Sequence, residues 1–481
     1  MKILLIKTKF KSPTFFPPLG IGYIGAVLEN AGHIVKILDL SIENLLDDEF
    51  KSELLKFNPD IIGLTCMITE YAEVVRIASV CKELNSNIPI IVGGPLASSI
   101  PEQFLKQSCI DVVSIGEGEF TFLELVEKIE TKGILDPSQL KDTKGIAFRD
   151  VDNKYVFNPA REIITDIDNI PYPARHLMRM EKYITPFENW FGDRSLKATN
   201  MISSRGCPYS CIFCDKTVFG NKWRGQSAVR TVDEMQMLSE RYGINAVFFT
   251  DDMFDLNKKR VFEICNEIKQ RGLDIVWGVE SRVNHADMDM YKKMHQSGCK
   301  FIAFGIESGN QDVLNFIQKK ITIEQVINAV DMAKSVGLGV MGFFMIGMFG
   351  ENKDTIEQTV EFAKKLPFDS GGFSKVVPLP NTKLYDFVKK EGIVEDSIFL
   401  ESSNFGAGIT LVKDLSPEQL DELVDKSYWE FFWSRPARKL PKPINKFIGN
   451  QFNIIYYLTK NNLDIFLKIN RLREILHIPL P

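Results

Sequence analysis

No stretch of the 481 residues approaches the roughly 18 uninterrupted apolar positions that a membrane-spanning helix needs. The N-terminal MKILLIKTKF has a short apolar run with no small-residue cleavage site after it, so it reads as a first β-strand rather than a signal peptide. Charge of one sign is missing as well. With 58 Lys and Arg against 63 Asp and Glu the net is only −5, which offers nucleic acid no basic footprint. Cysteine is scarce, and Cys66, Cys81, Cys109, Cys265 and Cys299 are scattered among apolar neighbours. That argues against a disulfide framework and leaves reduced core residues, as expected of a cytoplasmic chain. No second cysteine cluster exists, so no auxiliary iron–sulfur centre is expected. What is present, 44% hydrophobic and 25% charged residues, is the composition of a soluble globular protein long enough for two or three domains.

Residues 1–140 alternate short apolar strands with amphipathic helices, the pattern of a doubly wound, Rossmann-like parallel sheet. Strands are expected at Lys2–Ile6, His33–Asp39, Asp60–Thr65, Ile88–Gly93 and Asp111–Ile115. Ligands of such sheets bind at the carboxyl ends of strands, near a topological switch point. Four loops there are glycine-rich or polar. Leu19, Gly20 and Gly22 open the first helix, Thr65 ends the third strand, and Gly93 and Gly94 end the fourth before Pro95. Gly116, Glu117, Gly118 and Glu119 follow the fifth, and the two carboxylates argue against a phosphate cradle at that loop. Residues 141–195 read as a connector, with a hairpin in GIAFRDVDNKYVFN and a stiff Pro171-Tyr172-Pro173. His176 reads as a surface histidine, since no metal-ligand partner is spaced near it.

Within RGCPYSCIFCD, Cys207, Cys211 and Cys214 put three thiols on a loop that Gly206 and Pro208 keep out of helix and strand. Three thiolates suffice for three irons of a 4Fe–4S cluster; a cubane takes four ligands, so the remaining iron is open to a small molecule. Six strands then recur, each with a helix: Asn200–Ser204, Ala246–Thr250, Ile275–Val279, Phe301–Ile306, Gly339–Ile346 and Gly372–Val377. Six units are too few to close an eight-fold barrel, so a partial (β/α)6 TIM-like barrel is expected over 196–400, its chemistry at the C-terminal strand ends. Asp251 and Asp252, Glu280 and Arg282, Glu307 and Ser308, and Gly347 fall at those ends. Glu307 ends a strongly apolar strand, where a carboxylate is costly without a partner. Lys319 and Lys320 read as an exposed, solvated face. The fold class is α/β, with a helical C-terminal region at 401–481.

The Cys-x3-Cys-x2-Cys spacing, with Phe213 before the last cysteine, resembles the signature of radical S-adenosylmethionine enzymes. The resemblance implies that the open iron binds the amino and carboxylate groups of S-adenosylmethionine, which electron transfer cleaves to methionine and a 5'-deoxyadenosyl radical. It implies that TDDMF, with Asp251 and Asp252, helps bind the aminoacyl part, with Glu280 and Arg282 of GVESR nearby. Glu307 and Ser308 of GIES would hold the ribose, and MIGMFGE, with Gly347, would pack on the adenine beside the backbone around Phe213. Phe349 stands where that last motif usually has proline.

Upstream, PPLGIGYIGAVLENAGH, VGGP and IGEGE resemble the cobalamin-binding domain that precedes the radical core in one large subgroup. That implies cobalamin contacts from Leu19, Gly20, Gly22, Thr65, Gly93, Gly94, Gly116, Glu117, Gly118 and Glu119. No Asp-x-His-x-x-Gly motif occurs, and Leu96 stands where the subgroup often has histidine; both imply a cobalamin without a histidine on its lower face.

The expected function is a cobalamin-dependent radical methylase of an unactivated carbon, served by an external flavodoxin- or ferredoxin-type electron donor, with a small-molecule or lipid-like substrate. Oxidative cyclisation or rearrangement on the same scaffold, and a non-catalytic cobalamin or iron–sulfur sensor, are the alternatives. Residues 435–481 hold nine basic residues against Asp464 and Glu474. Phe466, Ile469, Leu472 and Leu476 recur there at helical spacing, which suits a cap over the open barrel or a basic helix lying on an anionic membrane, peripheral at its inner face.

Overall fold

The computed structural model describes residues 1–9, 16–43, 45–183, 185–186, 195–394 and 408–438; the amphipathic 466–476 segment lies outside them. The chain forms two compact units. One comprises Met1–Thr185, Thr199–Arg230 and Pro378–Ala407, the other Pro186–Ala198, Thr231–Val377 and Gly408–Pro481.

Five apolar runs of the first unit form β1 (Lys2–Lys7), β2 (Ile34–Asp39), β3 (Ile61–Thr65), β4 (Ile90–Gly93) and β5 (Val112–Ser114). Strands so rich in Ile, Leu and Val are buried on both faces, which is the environment of a parallel sheet. They pair in parallel in the order β2-β1-β3-β4-β5, so the direction of winding reverses between β1 and β3. Helices Leu19–Asn30 and Tyr71–Leu84 make crossovers, and Glu119–Lys132 follows β5 and is stopped by Gly133 at φ +72°. One core joins Leu4, Ile6, Ile62, Leu64, Ile90 and Val92 to Val74, Ile77 and Phe104 on the covering helices. The hairpin read as part of the connector, β6 (Ile146–Arg149) and β7 (Tyr155–Phe157), continues this sheet antiparallel to β5. Its turn is closed by Asp150, whose carboxylate accepts the Asp152 and Lys154 N–H groups at 3.0 and 2.8 Å. Pro95 starts a short extra helix, Pro95–Ser99, directly after the Gly93-Gly94 loop.

The edge strand pair β8 (Thr185–Pro186) and β9 (Lys197–Met201) is followed by two dipeptide strands, β10 (Ser204–Arg205) and β11 (Arg224–Gly225). The last two pair antiparallel and form a neck under the 206–223 loop in the first unit.

In the second unit β12 (Ala246–Phe249), β13 (Val276–Ser281), β14 (Cys299–Glu307), β15 (Gly339–Ile346) and β16 (Ser370–Lys375) are consecutive parallel neighbours. At the β12 edge, Lys197 donates its N–H to Asn245 Oδ1 at 2.6 Å and accepts the Asn245 N–H. Helices Lys258–Gln270, Met288–Gln296, Ile323–Ser335 and Lys353–Lys365 cross between strands, each opened by an Asn, Asp or Thr side chain that accepts a first-turn N–H. The result is the expected partial barrel. The C-terminal helix Pro417–Arg438 packs on β16, with the Phe431 ring edge-on to Phe373 at 5.5 Å. Its aromatic run therefore supplies core, Phe431 and Phe432 both being buried. No helix among the described residues is long and apolar enough to cross a membrane.

Candidate active site

The cysteine loop has no helix or strand of its own between Gly206 and Trp223. Gly206 enters it at φ +80°, where a Cβ would stand 2.5 Å from the Lys222 carbonyl oxygen, so no other residue type fits. Lys216 Nζ donates to the Cys207 carbonyl at 2.9 Å. Cys207 and Cys211 are half-buried and Cys214 is exposed, and none of the three forms a disulfide. The other five cysteines are buried; desolvation pushes Cys81 up to about 12 and Cys265 up to about 11. Only the trio is thus placed to present thiolates. Among the described residues no three His, Cys, Asp or Glu side chains converge as they would round a single ion. A cubane takes one thiolate per iron, and an accessible trio on one loop fits that demand.

Four buried charges hold the start of this loop. Arg205 donates to Glu117 at 2.8 Å and to Glu119 at 2.6 Å; Arg224 reaches both oxygens of Glu117 at 2.9 and 2.8 Å. Burial works against the Arg205 charge, but Glu119 above all, then Glu117, keeps its pKa above the ordinary value. Its guanidinium lies over the Tyr23 and Phe219 rings, 4.9 and 5.1 Å from their centroids. At the far end, Asp215 accepts from Thr217 N–H and Oγ1 at 2.9 and 2.7 Å, and Ser99 Oγ lies 3.4 Å from Asp215 and 3.3 Å from Thr217 Oγ1.

The glycine-rich loops meet where β3, β4 and β5 end. Thr65 and Gly93 are register partners. Gly94 is left-handed at φ +95°, and a Cβ there would lie 2.9 Å from Thr65 Oγ1 and from the Cys66 carbonyl oxygen. Gly116, also left-handed, gives its N–H to Ser98 Oγ at 3.1 Å. Gly118 caps the following helix, and Gly20 faces open space. Leu19 belongs instead to a small core with Tyr23, Val27, Ile167 and Ile170, while Gly22 admits Met178 and Pro173 at distances a side chain would close. The hydroxyls of Thr8, just past β1, and Ser114, ending β5, are buried without a hydrogen-bond partner among the described residues. Orphaned donors and bare glycine backbone at strand ends are what a large amide-rich cofactor such as cobalamin would engage.

In the second unit, Glu307 ends β14 at a break in register with β15, in the left-handed region at φ +75°. A non-glycine residue there is strained and persists only when its surroundings fix it. Lys319 does so: its Nζ lies 2.6 Å from Glu307 Oε1, with both side chains nearly excluded from water. The expectation of an exposed Lys319 is therefore corrected, while Lys320 is exposed. Left-handed residues on either side, Gln318 and Lys320, turn Lys319 inward to meet the buried carboxylate. Arg282 donates to the Lys319 carbonyl and, at 3.2 Å, to Asn284. Ser308 is buried, its hydroxyl 3.1 Å from Thr359 Oγ1 and receiving the Asn310 N–H.

Asp251 is buried and Asp252 exposed after β12. Burial first, then the negative charges of Asp252, Asp251 and Glu307, push partly buried Glu280 up to about 7. Four carboxylates thus share one strand-end region, a field that favours a cationic ligand such as a sulfonium bearing an ammonium group. Gly347 turns after β15 at φ +95°, with its N–H and that of Met348 held by Glu351 at 2.9 and 2.7 Å. Burial pushes Glu351 up to about 7 against those two bonds. Phe349, the departure from proline, stacks on Phe316 with centroids 6.0 Å apart. Phe213 is half-buried in the cysteine loop of the first unit. Spacing alone did not mark Lys319, Arg205 or Glu351; the only sequence signals were the twelve residues from Glu307 to Lys319 and an arginine before Gly206-Cys207.

A doubly wound domain with a three-cysteine loop, joined to a partial barrel with acidic strand ends, defines a class of iron–sulfur enzyme. The radical SAM superfamily model matches residues 201–363, and the B12 binding domain model matches 8–126. An uncharacterized methyltransferase of Pyrococcus horikoshii is 36% identical over 440 residues, 90% of this chain and 92% of the relative. Cytidylyl-2-hydroxyethylphosphonate methyltransferase of Streptomyces wedmorensis is 29% identical over 474 residues, 88% of each chain. Among solved structures, the cobalamin-dependent S-adenosylmethionine radical enzyme OxsB with aqua-cobalamin bound has the same fold. Its TM-score is 0.74 at 17% identity, over 98% of this chain and 75% of that one. The chain belongs to the cobalamin-binding radical SAM family. It is a radical SAM enzyme, and its cofactors are a 4Fe–4S cluster, S-adenosylmethionine and cobalamin.

Proposed function

We propose that the enzyme transfers a methyl group from S-adenosylmethionine to an unactivated carbon of a small-molecule substrate. The observation that carries this reading is the cysteine loop folded onto the carboxyl ends of the doubly wound sheet, within one compact unit. The methyltransferase names of the two relatives support methyl transfer. When bound, the cluster supplies the electron that splits the sulfonium, and cobalamin supplies a methyl carrier.

Cys207, Cys211 and Cys214 would hold three irons, and the 206–223 loop keeps them at hand without a helix or strand to bury them. Thr65, Gly93, Gly94 and Gly116 would present backbone and hydroxyl groups to cobalamin, with Gly118, Gly20, Leu19 and Gly22 shaping the surrounding loops. Asp251, Asp252 and Glu280 would draw in the cationic aminoacyl end of the donor. Glu307, held by Lys319, would accept hydrogen bonds from its ribose, and the Gly347 turn would offer a flat face to its adenine. Arg282 and Ser308 would act by fixing the Lys319 and Asn310 backbone. The domain division that goes with this reading is 1–140 for cobalamin, 141–195 as connector, 196–400 for the radical core and 401–481 as a helical end.

Anaerobic reconstitution should give about four irons per chain together with bound cobalamin. With methyl-deuterated donor and a strong reductant, label should appear on the cobalamin and S-adenosylhomocysteine should form beside 5'-deoxyadenosine. A protein that cleaves the donor yet never acquires the labelled methyl would be a cyclase or rearrangement enzyme. One that binds cobalamin and never cleaves the donor would be a sensor.

A further inference from the structure

We infer that Glu117 and Glu119 are positioning residues for the iron–sulfur cluster: with Arg205, Arg224 and Ser99 they clamp the cysteine loop at both ends. This rests on the family reading and departs from it in taking two carboxylates of the GEGE loop away from cobalamin.

The loop that carries the cysteines has no hydrogen-bonded ladder of its own, so its shape must come from what it is tied to. One tie lies two residues before Cys207. There the Arg205 guanidinium bridges Glu117 and Glu119, and Arg224, its partner across the β10–β11 neck, takes both oxygens of Glu117. Glu117 Oε2 also accepts the Ile164 N–H at 2.8 Å. Two positive and two negative charges close on one another with almost no exposure, so neither carboxylate is left for a ligand. The second tie begins at the residue after Cys214, where Asp215 and Thr217 meet Ser99 on the helix that follows the Gly93-Gly94 loop. Between the ties, a side chain at Gly116 would come within 3.9 Å of the Thr217 and Val218 carbonyls. The cluster loop thus takes its position from the ends of β4 and β5, the same two strand ends that offer glycine backbone to cobalamin.

The test uses holoenzyme carrying cluster and cobalamin, in three variants. In Glu119→Gln, iron should pass to a chelator on the order of tenfold faster or more, since Arg205 is left with an incomplete partner. The electron paramagnetic resonance signal of the reduced cluster should change shape, while cobalamin content stays at the wild-type value. Arg205→Lys keeps the charge but cannot bridge two carboxylates, so it should fall between wild type and Glu119→Gln in both readouts. Ser99→Ala, at the other tie, should move the same two readouts by a smaller amount. Loss of cobalamin with iron and resonance unchanged would return the GEGE carboxylates to the cobalamin site and end the proposal, as would variants indistinguishable from wild type. Should Glu119→Gln not fold, Arg205→Lys and Ser99→Ala decide by the same criteria. Failure of the family reading would look different, because the wild-type protein would then hold no cluster to release.

Discussion

Replacing Lys319 by methionine removes the ammonium that lies 2.6 Å from Glu307 Oε1 and keeps the length of the side chain. The carboxylate stays where β14 places it, in a left-handed backbone near three further acids, so it loses its counter-ion without gaining water. Removing one partner of a buried pair costs about 3–5 kcal/mol, or two to three and a half powers of ten in the local opening equilibrium. Native-state hydrogen exchange reads it directly: the peptides covering 299–307 and 311–321 should exchange faster by at least about a hundredfold, since opening of β14 exposes their amides. Lys320→Met, one residue along and exposed, is the control and should leave exchange unchanged. The double variant Glu307→Gln/Lys319→Met, with both charges gone, should recover at least about 1.5 kcal/mol of the loss relative to additivity. Equal exchange in the Lys319 and Lys320 variants, or strict additivity in the double variant, would refute the reasoning.

Two other outcomes follow from the same strand ends. Because the folded state holds the Glu280 carboxyl near 7 rather than at its ordinary 4.5, it binds a proton that the unfolded chain has released over that interval. Glu280 therefore contributes a fall in stability as pH rises from about 4.5 to about 7, as Glu351 does, and Glu280→Gln should make that slope in thermal unfolding shallower by its own share. The cationic donor should displace the proton, so titration calorimetry below pH 7 should show a binding heat that depends on the buffer; no dependence would exclude Glu280 from the donor site. Gly347→Ala puts a side chain at φ +95° and 2.7 Å from Leu420 Cδ2, at a cost of about 1–3 kcal/mol. Donor affinity should drop with it, and adding Leu420→Ala should restore part of the loss by relieving the contact. No recovery would mean that backbone strain alone is responsible.

The alternation of apolar strands and helices was legible because both sheets bury nearly continuous Ile, Leu, Val and Phe runs between helices. The Tyr71–Leu84 helix and the Gly339–Ile346 strand fall where the pattern puts them. The cysteine trio was legible because its ligand spacing is local. What escaped depends on distance along the chain or on single backbone angles. Arg205 finds Glu117 and Glu119 across 88 and 86 residues, and Arg224 finds Glu117 across 107, so no window of sequence shows the clamp. Lys319 and Lys320 are equivalent as letters; left-handed turns at 318 and 320 decide which one is inside. The 146–157 hairpin showed its alternation, but not the open edge of β5 that receives it.

Each compact unit is assembled from three separate stretches of chain, interleaved with those of the other. No single cut yields an intact half. Severing the backbone in the connector would strip the first unit of 199–230, and with it the cysteines and both clamp arginines. The second unit would keep the strand start at 197–198 and its barrel strands from Thr231 on, but 199–230 would stay on its fragment, parted from the sheet it belongs with. A single end-to-end fusion of two relatives in the connector would therefore seat one relative's cysteine loop on the other's strand ends, so Glu117 and Glu119 would have to match Arg205 and Arg224 from a different parent.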